Sequence, residues 1–109
     1  IPPKSAVCYC SNCVRAGSGP CSIVFILDRS TITLNDPSNA LKTYEDSDTL
    51  TGNRMYRSFC GNCGSPVYTS PARDSPMLFL QAGLFDKILE PAFENMPEHK
   101  PAWVAITKG

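Results

Sequence analysis

Five of the six cysteines in this chain fall in two tight clusters, which constrain the fold more than any other feature. The first is the C-x-C-x-x-C run of Cys8, Cys10 and Cys13, and the second is the C-x-x-C pair of Cys60 and Cys63. Thiolates at these spacings can reach one cation from a single backbone turn. Zinc takes four protein ligands in structural sites and three in catalytic sites, so the function depends on how the cysteines are shared.

The cysteine spacings favour metal binding over disulfides, because C-x-C and C-x-x-C pairs are too close for a framework of long-range bridges. Metal-binding thiols must stay reduced. We therefore expect a reducing compartment, the cytosol or nucleus, and predict a cytoplasmic protein.

Length and composition indicate one globular domain over residues 1–109. Hydrophobic residues make up 42% of the chain and charged residues 18%, which is typical of a folded domain. Ten basic residues balance ten acidic ones, and this argues against a nucleic-acid surface. No apolar run approaches the roughly 20 residues of a membrane span, and no signal peptide is predicted.

The fold class predicted from the chain is mainly β with little helix. Prolines and glycines divide the sequence into short pieces, as in domains with many turns. A single short helix is expected around 12–16, ended by Gly17. The Cys60–Gly64 segment is expected to join two strands as a zinc-knuckle hairpin, with positive φ at Gly61 and Gly64. Strands are predicted at 22–27, 31–34, 41–45, 54–59, 65–70, 77–82 and 103–106.

Spacing alone leaves two arrangements of the cysteines open and favours the first, because structural zinc is the commoner use of paired C-x-x-C motifs. In the first, Cys10, Cys13, Cys60 and Cys63 form one structural zinc site and Cys8 is spare, although the spacer is far longer than the usual 15 to 20 or so residues. In the second, Cys8, Cys10 and Cys13 hold their own zinc. That site would keep a fourth position open for a substrate.

The combination of motifs resembles the family of glutathione-dependent formaldehyde-activating enzymes, which includes centromere protein V. The resemblance rests on the C-x-C-x-x-C run, on a later F-C-x-x-C-G-S-P segment, and on Gly83-Leu84-Phe85-Asp86 and Pro101-Ala102-Trp103. It implies the β-tent fold, in which small β-sheets are pinned by zinc. It also implies two zinc sites.

By this resemblance, Cys8, Cys10 and Cys13 form the catalytic site associated with glutathione, and Cys60 and Cys63 form half of a structural site. The family's other half is an early C-x-C, which does not occur before Cys8. Relative to the family, two explanations stay open from the sequence: an N-terminally truncated chain, or a naturally short family member. The missing ligands could come from Cys21, from His99 or from another subunit of a homo-oligomer.

The resemblance predicts a zinc-dependent carbon–sulfur lyase-like activity, in which the thiol of glutathione adds to a small carbonyl such as formaldehyde. Arg54 or Arg57 could bind a glutathione carboxylate, because arginine forms bidentate pairs with carboxylates. Lying three apart on a strand, the two side chains should face opposite sides.

Two other functions remain open from the sequence. One is a non-catalytic zinc module that binds a protein partner. The other is an enzyme on a related scaffold that acts on a larger substrate, which a pocket lined by Phe25, Phe79 or Trp103 would favour.

Overall fold

The computed structural model describes residues 4–85, 87–88 and 90–107, so Asp86 lies outside the described part. The prediction of a mainly β protein with little helix is confirmed. One α-helix, α1, spans Ser11–Gly17. The strands are β1 Lys4–Cys8, β2 Ser22–Asp28, β3 Leu41–Asp46, β4 Met55–Cys60, β5 Pro66–Ser70, β6 Met77–Gln81 and β7 Phe93–Asn95.

The strands form one seven-stranded sheet in the order β3-β4-β5-β6-β2-β1-β7, where the resemblance implied several small sheets. All neighbours are antiparallel except β1 and β7, which pair in parallel with Ala6 opposite Phe93 and Cys8 opposite Asn95. A segment late in the sequence thus pairs with the first strand of the described residues. In the described residues, no helix is long and apolar enough to cross a membrane.

Because side chains alternate between the two faces of the strands, the hydrophobic core and the first cysteine cluster lie on opposite sides of the sheet. Side chains of successive strand residues point to opposite faces. One face carries the core, formed by Phe25, Tyr68, Leu78, Leu80 and Ala82. The other face carries Cys8 on β1, so the first cysteine cluster lies on the side of the sheet away from this core.

The helix α1 begins at Cys10, whose Sγ accepts a hydrogen bond from the Cys13 backbone N–H at 3.4 Å. Ser22 on β2 ties the first turn of the helix to the sheet, because its hydroxyl donates to the Cys13 carbonyl at 2.6 Å. Ser18 follows the helix in the left-handed region with φ 53°. The predicted helix is confirmed, and its capping group is itself one of the candidate metal ligands.

The hairpin between β4 and β5 carries the second cysteine cluster, as predicted. Cys60 N–H donates to the Ser65 carbonyl at 2.9 Å, and Gly64 N–H donates to the Cys60 carbonyl at 2.7 Å. Gly64 takes a positive φ of 80°, whereas Gly61 does not. Gly61 is required for space instead, because a Cβ there would lie 2.7 Å from the Ala40 carbonyl oxygen.

Two of the predicted strands are wrong. The 31–34 segment begins in a 3-10 turn, Arg29–Thr31, because Asp28 accepts from Ser30 N–H at 2.9 Å and caps the turn. Such local side-chain bonds compete with strand pairing. The 103–106 segment turns at Pro101, whose carbonyl accepts from Val104 N–H at 3.0 Å. Strands β1 and β7 were not predicted.

Candidate metal centre and cleft

Three cysteine sulfurs meet where β1 gives way to α1. The Sγ atoms of Cys8, Cys10 and Cys13 all lie within 4.8 Å of one another, so the group could hold a metal ion. Cys8 ends β1, Cys10 caps the helix and Cys13 lies in its first turn. The local fold of a strand followed by a helix therefore brings the three sulfurs together.

Hydrogen bonds orient the sulfurs of this cluster and shift the pKa values of Cys8 and Cys13 in opposite directions. Asn95 on β7 donates from Nδ2 to Cys8 Sγ at 3.4 Å. The Cys13 thiol holds the pKa of Cys8 near 5, well below 9.0, while the same contact and burial raise the pKa of Cys13. Since thiolates are the metal-binding form of cysteine, the cluster already favours one anionic sulfur.

The second cysteine pair lies apart from this cluster. Cys60 and Cys63 sit on the β4–β5 hairpin, where Cys63 is exposed and bonded to the Ser65 hydroxyl at 3.3 Å. This contact lowers the pKa of Cys63. Within the described residues, Cys8, Cys10 and Cys13 are the one group of three or more candidate ligands. Cys10 and Cys13 thus group with Cys8 rather than with the hairpin pair.

Cys21 and His99 were the two residues of this chain that could have completed a site with Cys60 and Cys63. In the described residues, neither of them forms a group of three candidate metal ligands with that pair. Cys21 is half-buried just before β2, and its pKa is raised by burial and by the neighbouring Cys8. His99 is exposed in the 3-10 turn Pro97–His99.

A buried carboxylate ties the cysteine-bearing helix to the opposite end of the sheet. Asp46 Oδ2 accepts from Asn12 Nδ2 at 2.6 Å and from Arg57 Nε at 2.8 Å, while Oδ1 accepts from Asp48 N–H at 3.1 Å. Burial raises the pKa of Asp46, but these donors outweigh it and hold the pKa below 3.8. The side chain is therefore an anion that fixes Asn12 and Arg57.

The two candidate arginines occupy different environments. Arg57 is one-fifth exposed, pairs with Asp46 and lines a cleft that also contains the three clustered cysteines. Arg54 is two-thirds exposed and pairs with Glu45 at 2.8 Å, and it does not line this cleft. Of the two arginines, Arg57 alone lies at the cleft, and the binding of a glutathione carboxylate by either one stays a prediction.

The cleft measures about 480 Å³ and opens over the face of the sheet that carries Cys8. Of the three aromatic residues that the sequence suggested for a pocket, Phe79 lines this cleft. Phe25 belongs to the core on the opposite face, and Trp103 is 80% exposed and lies outside the cleft. Its lining comes from every strand except β3, from the helix, and from three loops, at 49–51, at Pro71 and at Met96. The apolar lining residues are Ala6, Val24, Ile26, Leu50, Met55, Pro71, Met77, Phe79, Phe93 and Met96.

Sequence reasoning missed Asn12, Asp46 and Asn95. Asp46 stands in an acidic stretch that looks like an exposed loop, and its burial depends on the β3–β4 register that places it opposite Met55. Asn95 reaches Cys8 only because β7 pairs with β1. Extending the predicted strand that starts at Leu41 by one residue would have placed Asp46 on it. Nothing in the sequence around Asn95 indicates that its side chain contacts Cys8.

The fold and site define a mainly β protein with a three-cysteine cluster that could hold a metal ion at one end of an apolar cleft. The family model described as glutathione-dependent formaldehyde-activating enzyme matches residues 1–104, and the chain belongs to that family. No curated protein matches the chain.

Proposed function

We propose that this protein is a zinc-dependent, carbon–sulfur lyase-like enzyme that joins the thiol of glutathione to a small carbonyl such as formaldehyde. The observation that carries the proposal is the opening of the Cys8, Cys10 and Cys13 cluster onto a cleft large enough for a substrate. The family description supplies the class of thiol and carbonyl. Glutathione is held reduced in the cytosol, which fits a cytoplasmic protein.

The chemistry of the donor set fits zinc. Three sulfurs within 4.8 Å are soft ligands of the kind that zinc prefers, and three protein ligands are typical of zinc sites that keep a position open. Cys8, Cys10 and Cys13 would hold the ion. When bound, zinc supplies Lewis-acid stabilisation of a thiolate, the nucleophilic form of a thiol.

The chain's own groups position the reactants around that centre. Asn95 and the Cys13 backbone N–H hold Cys8 and Cys10 in place through hydrogen bonds to sulfur. Arg57 binds a carboxylate of glutathione, because its Nε is used by Asp46 while the guanidinium carries further N–H donors. The apolar wall of the cleft excludes water from the reacting carbonyl.

The reaction is an addition and needs no oxidant or reductant. A carbon–sulfur bond forms between the glutathione sulfur and the carbonyl carbon, and the carbon–oxygen π bond breaks. The electron pair moves to oxygen, which takes up the proton released by the thiol. The product with formaldehyde is S-(hydroxymethyl)glutathione.

Cys60 and Cys63 are proposed to bind a second metal with ligands from outside the described residues, such as those of a second subunit. Their place on an exposed hairpin makes both sulfurs reachable. Two zinc ions per chain in native mass spectrometry, falling to one in Cys60→Ser, would support this second site. One zinc per chain that survives the substitution would contradict it.

The experiment that tests the function compares Cys10→Ser with Cys21→Ser, since both cysteines are half-buried and only Cys10 belongs to the cluster. Zinc per chain is measured by native mass spectrometry, with and without glutathione. Exchange between formaldehyde and its glutathione adduct is measured by NMR above the spontaneous rate.

We expect Cys10→Ser to lose zinc, the glutathione adduct and catalysed exchange, and we expect Cys21→Ser to keep all three. Zinc-loaded protein that neither binds glutathione nor accelerates exchange would instead favour a non-catalytic zinc module that binds a protein partner.

A further inference from the structure

The cleft beside the cysteine cluster would hold glutathione together with the carbonyl compound, and its lining is more apolar than formaldehyde requires. Its volume of about 480 Å³ lies in the range of sites for drug-sized ligands. Apart from the cysteine cluster, Arg57 is the single charged side chain among the described lining residues, and it is already paired with Asp46. Arg57 can take one carboxylate of glutathione, while the apolar part of the lining offers a surface to a hydrocarbon group.

That surface follows directly from strand register. Ala6 on β1 lies opposite Phe93 on β7 and Val24 on β2, and Ile26 lies opposite Phe79 on β6. These residues therefore form an apolar row across the open face of the sheet. Cys8 lies two residues beyond Ala6 on the same face, about 7 Å along the strand. The row thus begins next to the proposed reaction centre.

Some apolar side chains of this cleft are exposed, although Ala6 and Val24 in the row are buried, at 4% and 8%. Leu50, Met77 and Phe93 are 50%, 41% and 45% exposed, although each has apolar neighbours. All three methionines of the chain, Met55, Met77 and Met96, line the same cleft. Methionine is flexible and polarizable, and it is over-represented at surfaces that accept varied apolar ligands.

We infer that the cleft binds an apolar group attached to the carbonyl carbon, so that the preferred electrophile is a medium-chain aliphatic aldehyde rather than formaldehyde. The inference rests on the proposed function and names the substrate class of the same site. The aldehyde carbon lies beside the cysteine cluster, and its chain lies along the row from Ala6 towards Phe79. Glutathione addition to such an aldehyde has the atom balance given for formaldehyde, with a longer group on carbon.

The test uses the zinc-loaded full chain with glutathione and formaldehyde, butanal or hexanal. For each aldehyde, NMR exchange gives the ratio of catalysed to spontaneous adduct formation, which removes intrinsic differences in reactivity. Each methylene buried in the cleft should raise this ratio about 3- to 4-fold. Hexanal should therefore exceed butanal by about tenfold.

Phe93→Ala and Phe85→Ala provide a matched pair of variants. Both phenylalanines are about half exposed, at 45% and 50%, but only Phe93 lines the cleft, whereas Phe85 packs edge-on against Phe25 of the core. Phe93→Ala should lower the hexanal ratio about 5-fold more than it lowers the formaldehyde ratio measured in the same variant. Phe85→Ala should leave the preference for hexanal unchanged. Met77→Ala serves as a second cleft variant if Phe93→Ala is unfolded.

Binding of stable thioethers gives a second readout that needs no turnover. S-hexylglutathione should bind more tightly than S-methylglutathione and should shift the methionine methyl signals in NMR spectra. Equal ratios for all aldehydes together with equal thioether affinities would overturn the inference and leave formaldehyde activation standing. If S-hexylglutathione binds tightly but no aldehyde is turned over, the proposed function is overturned, and so is the inference that the substrate is a medium-chain aldehyde.

Discussion

Asn12 donates a hydrogen bond from Nδ2 to Asp46 Oδ2 over 2.6 Å, and this contact joins the cysteine-bearing helix α1 to the end of β3. The same oxygen accepts from Arg57 on β4. One buried carboxylate therefore sets both the helix that presents two of the clustered cysteines and the arginine proposed to bind substrate.

Replacing Asp46 by Asn should destabilise the fold by about 2–4 kcal/mol, because it leaves the mostly buried Arg57 without its counter-charge. Glu45→Gln is the matched control, since the Arg54–Glu45 pair has the same 2.8 Å separation but is much more exposed. Its loss should stay below about 1 kcal/mol. Urea denaturation gives both free energies of unfolding, and equal losses would show that Asp46 has no special structural role.

The stabilising effect of Asp46 should depend on pH in the acid range. Its pKa lies below 3.8 in the folded protein, so the unfolded chain binds the proton more readily. The contribution is complete above about pH 5 and is lost as the pH falls below 3.8 and through the folded-state pKa. The difference in unfolding free energy between the wild type and Asp46→Asn should shrink over that interval, and a constant difference down to pH 3 or so would contradict the assignment.

Asn95→Ala should weaken zinc binding about tenfold, because residues that hydrogen-bond to metal ligands typically contribute that much to affinity. The lost contact is the one from Asn95 Nδ2 to Cys8 Sγ. Competition with a chromophoric chelator measures the affinity. Asn62→Ala, on the exposed hairpin, is the control and should leave the Cys8 site unchanged. An unaltered affinity in Asn95→Ala would remove Asn95 from the site.

Gly61→Ala should destabilise the protein by about 1–3 kcal/mol, because the added Cβ would lie 2.7 Å from the Ala40 carbonyl oxygen and strain of this kind is seldom relieved fully. It would also disturb the Gly61 N–H bond to that oxygen. Gly83→Ala meets nothing within 4 Å and has no positive φ, so its thermal midpoint should barely move. Similar thermal midpoints for both variants would indicate that the β4–β5 hairpin can shift to accommodate the added Cβ without loss of stability.

The sequence was most informative where a signal is local. The 22–27 and 77–82 runs are continuous apolar segments, and both became central strands of the sheet. Cys8, Cys10 and Cys13 lie within six consecutive residues. Spacing alone favoured a site shared by Cys10, Cys13, Cys60 and Cys63, and the family resemblance was needed to favour the three-cysteine cluster. By contrast, Thr31–Leu34 has an alternating pattern but is diverted by the side chain of Asp28.

Features that depend on distant pairing were not predictable. Strand β7 is three residues long, and it exists through its parallel ladder with β1. The apolar cleft likewise needs the order of all seven strands, since its walls come from segments scattered along the chain. Phe25 and Phe79 look equivalent in sequence, yet register places them on opposite faces of the sheet.

The parallel pairing of β7 with β1 imposes an order on folding during synthesis. The three clustered sulfurs emerge from the ribosome together and close only a short loop, whereas Phe93 and Asn95 must close a loop that runs through nearly the whole chain. Long-range closure of this kind comes late because its entropy loss precedes its contacts. A nascent chain can therefore bring Cys8, Cys10 and Cys13 together well before Phe93 and Asn95 have been made, so the wall of the cleft beside the cysteine cluster is completed only after β7 has been synthesised.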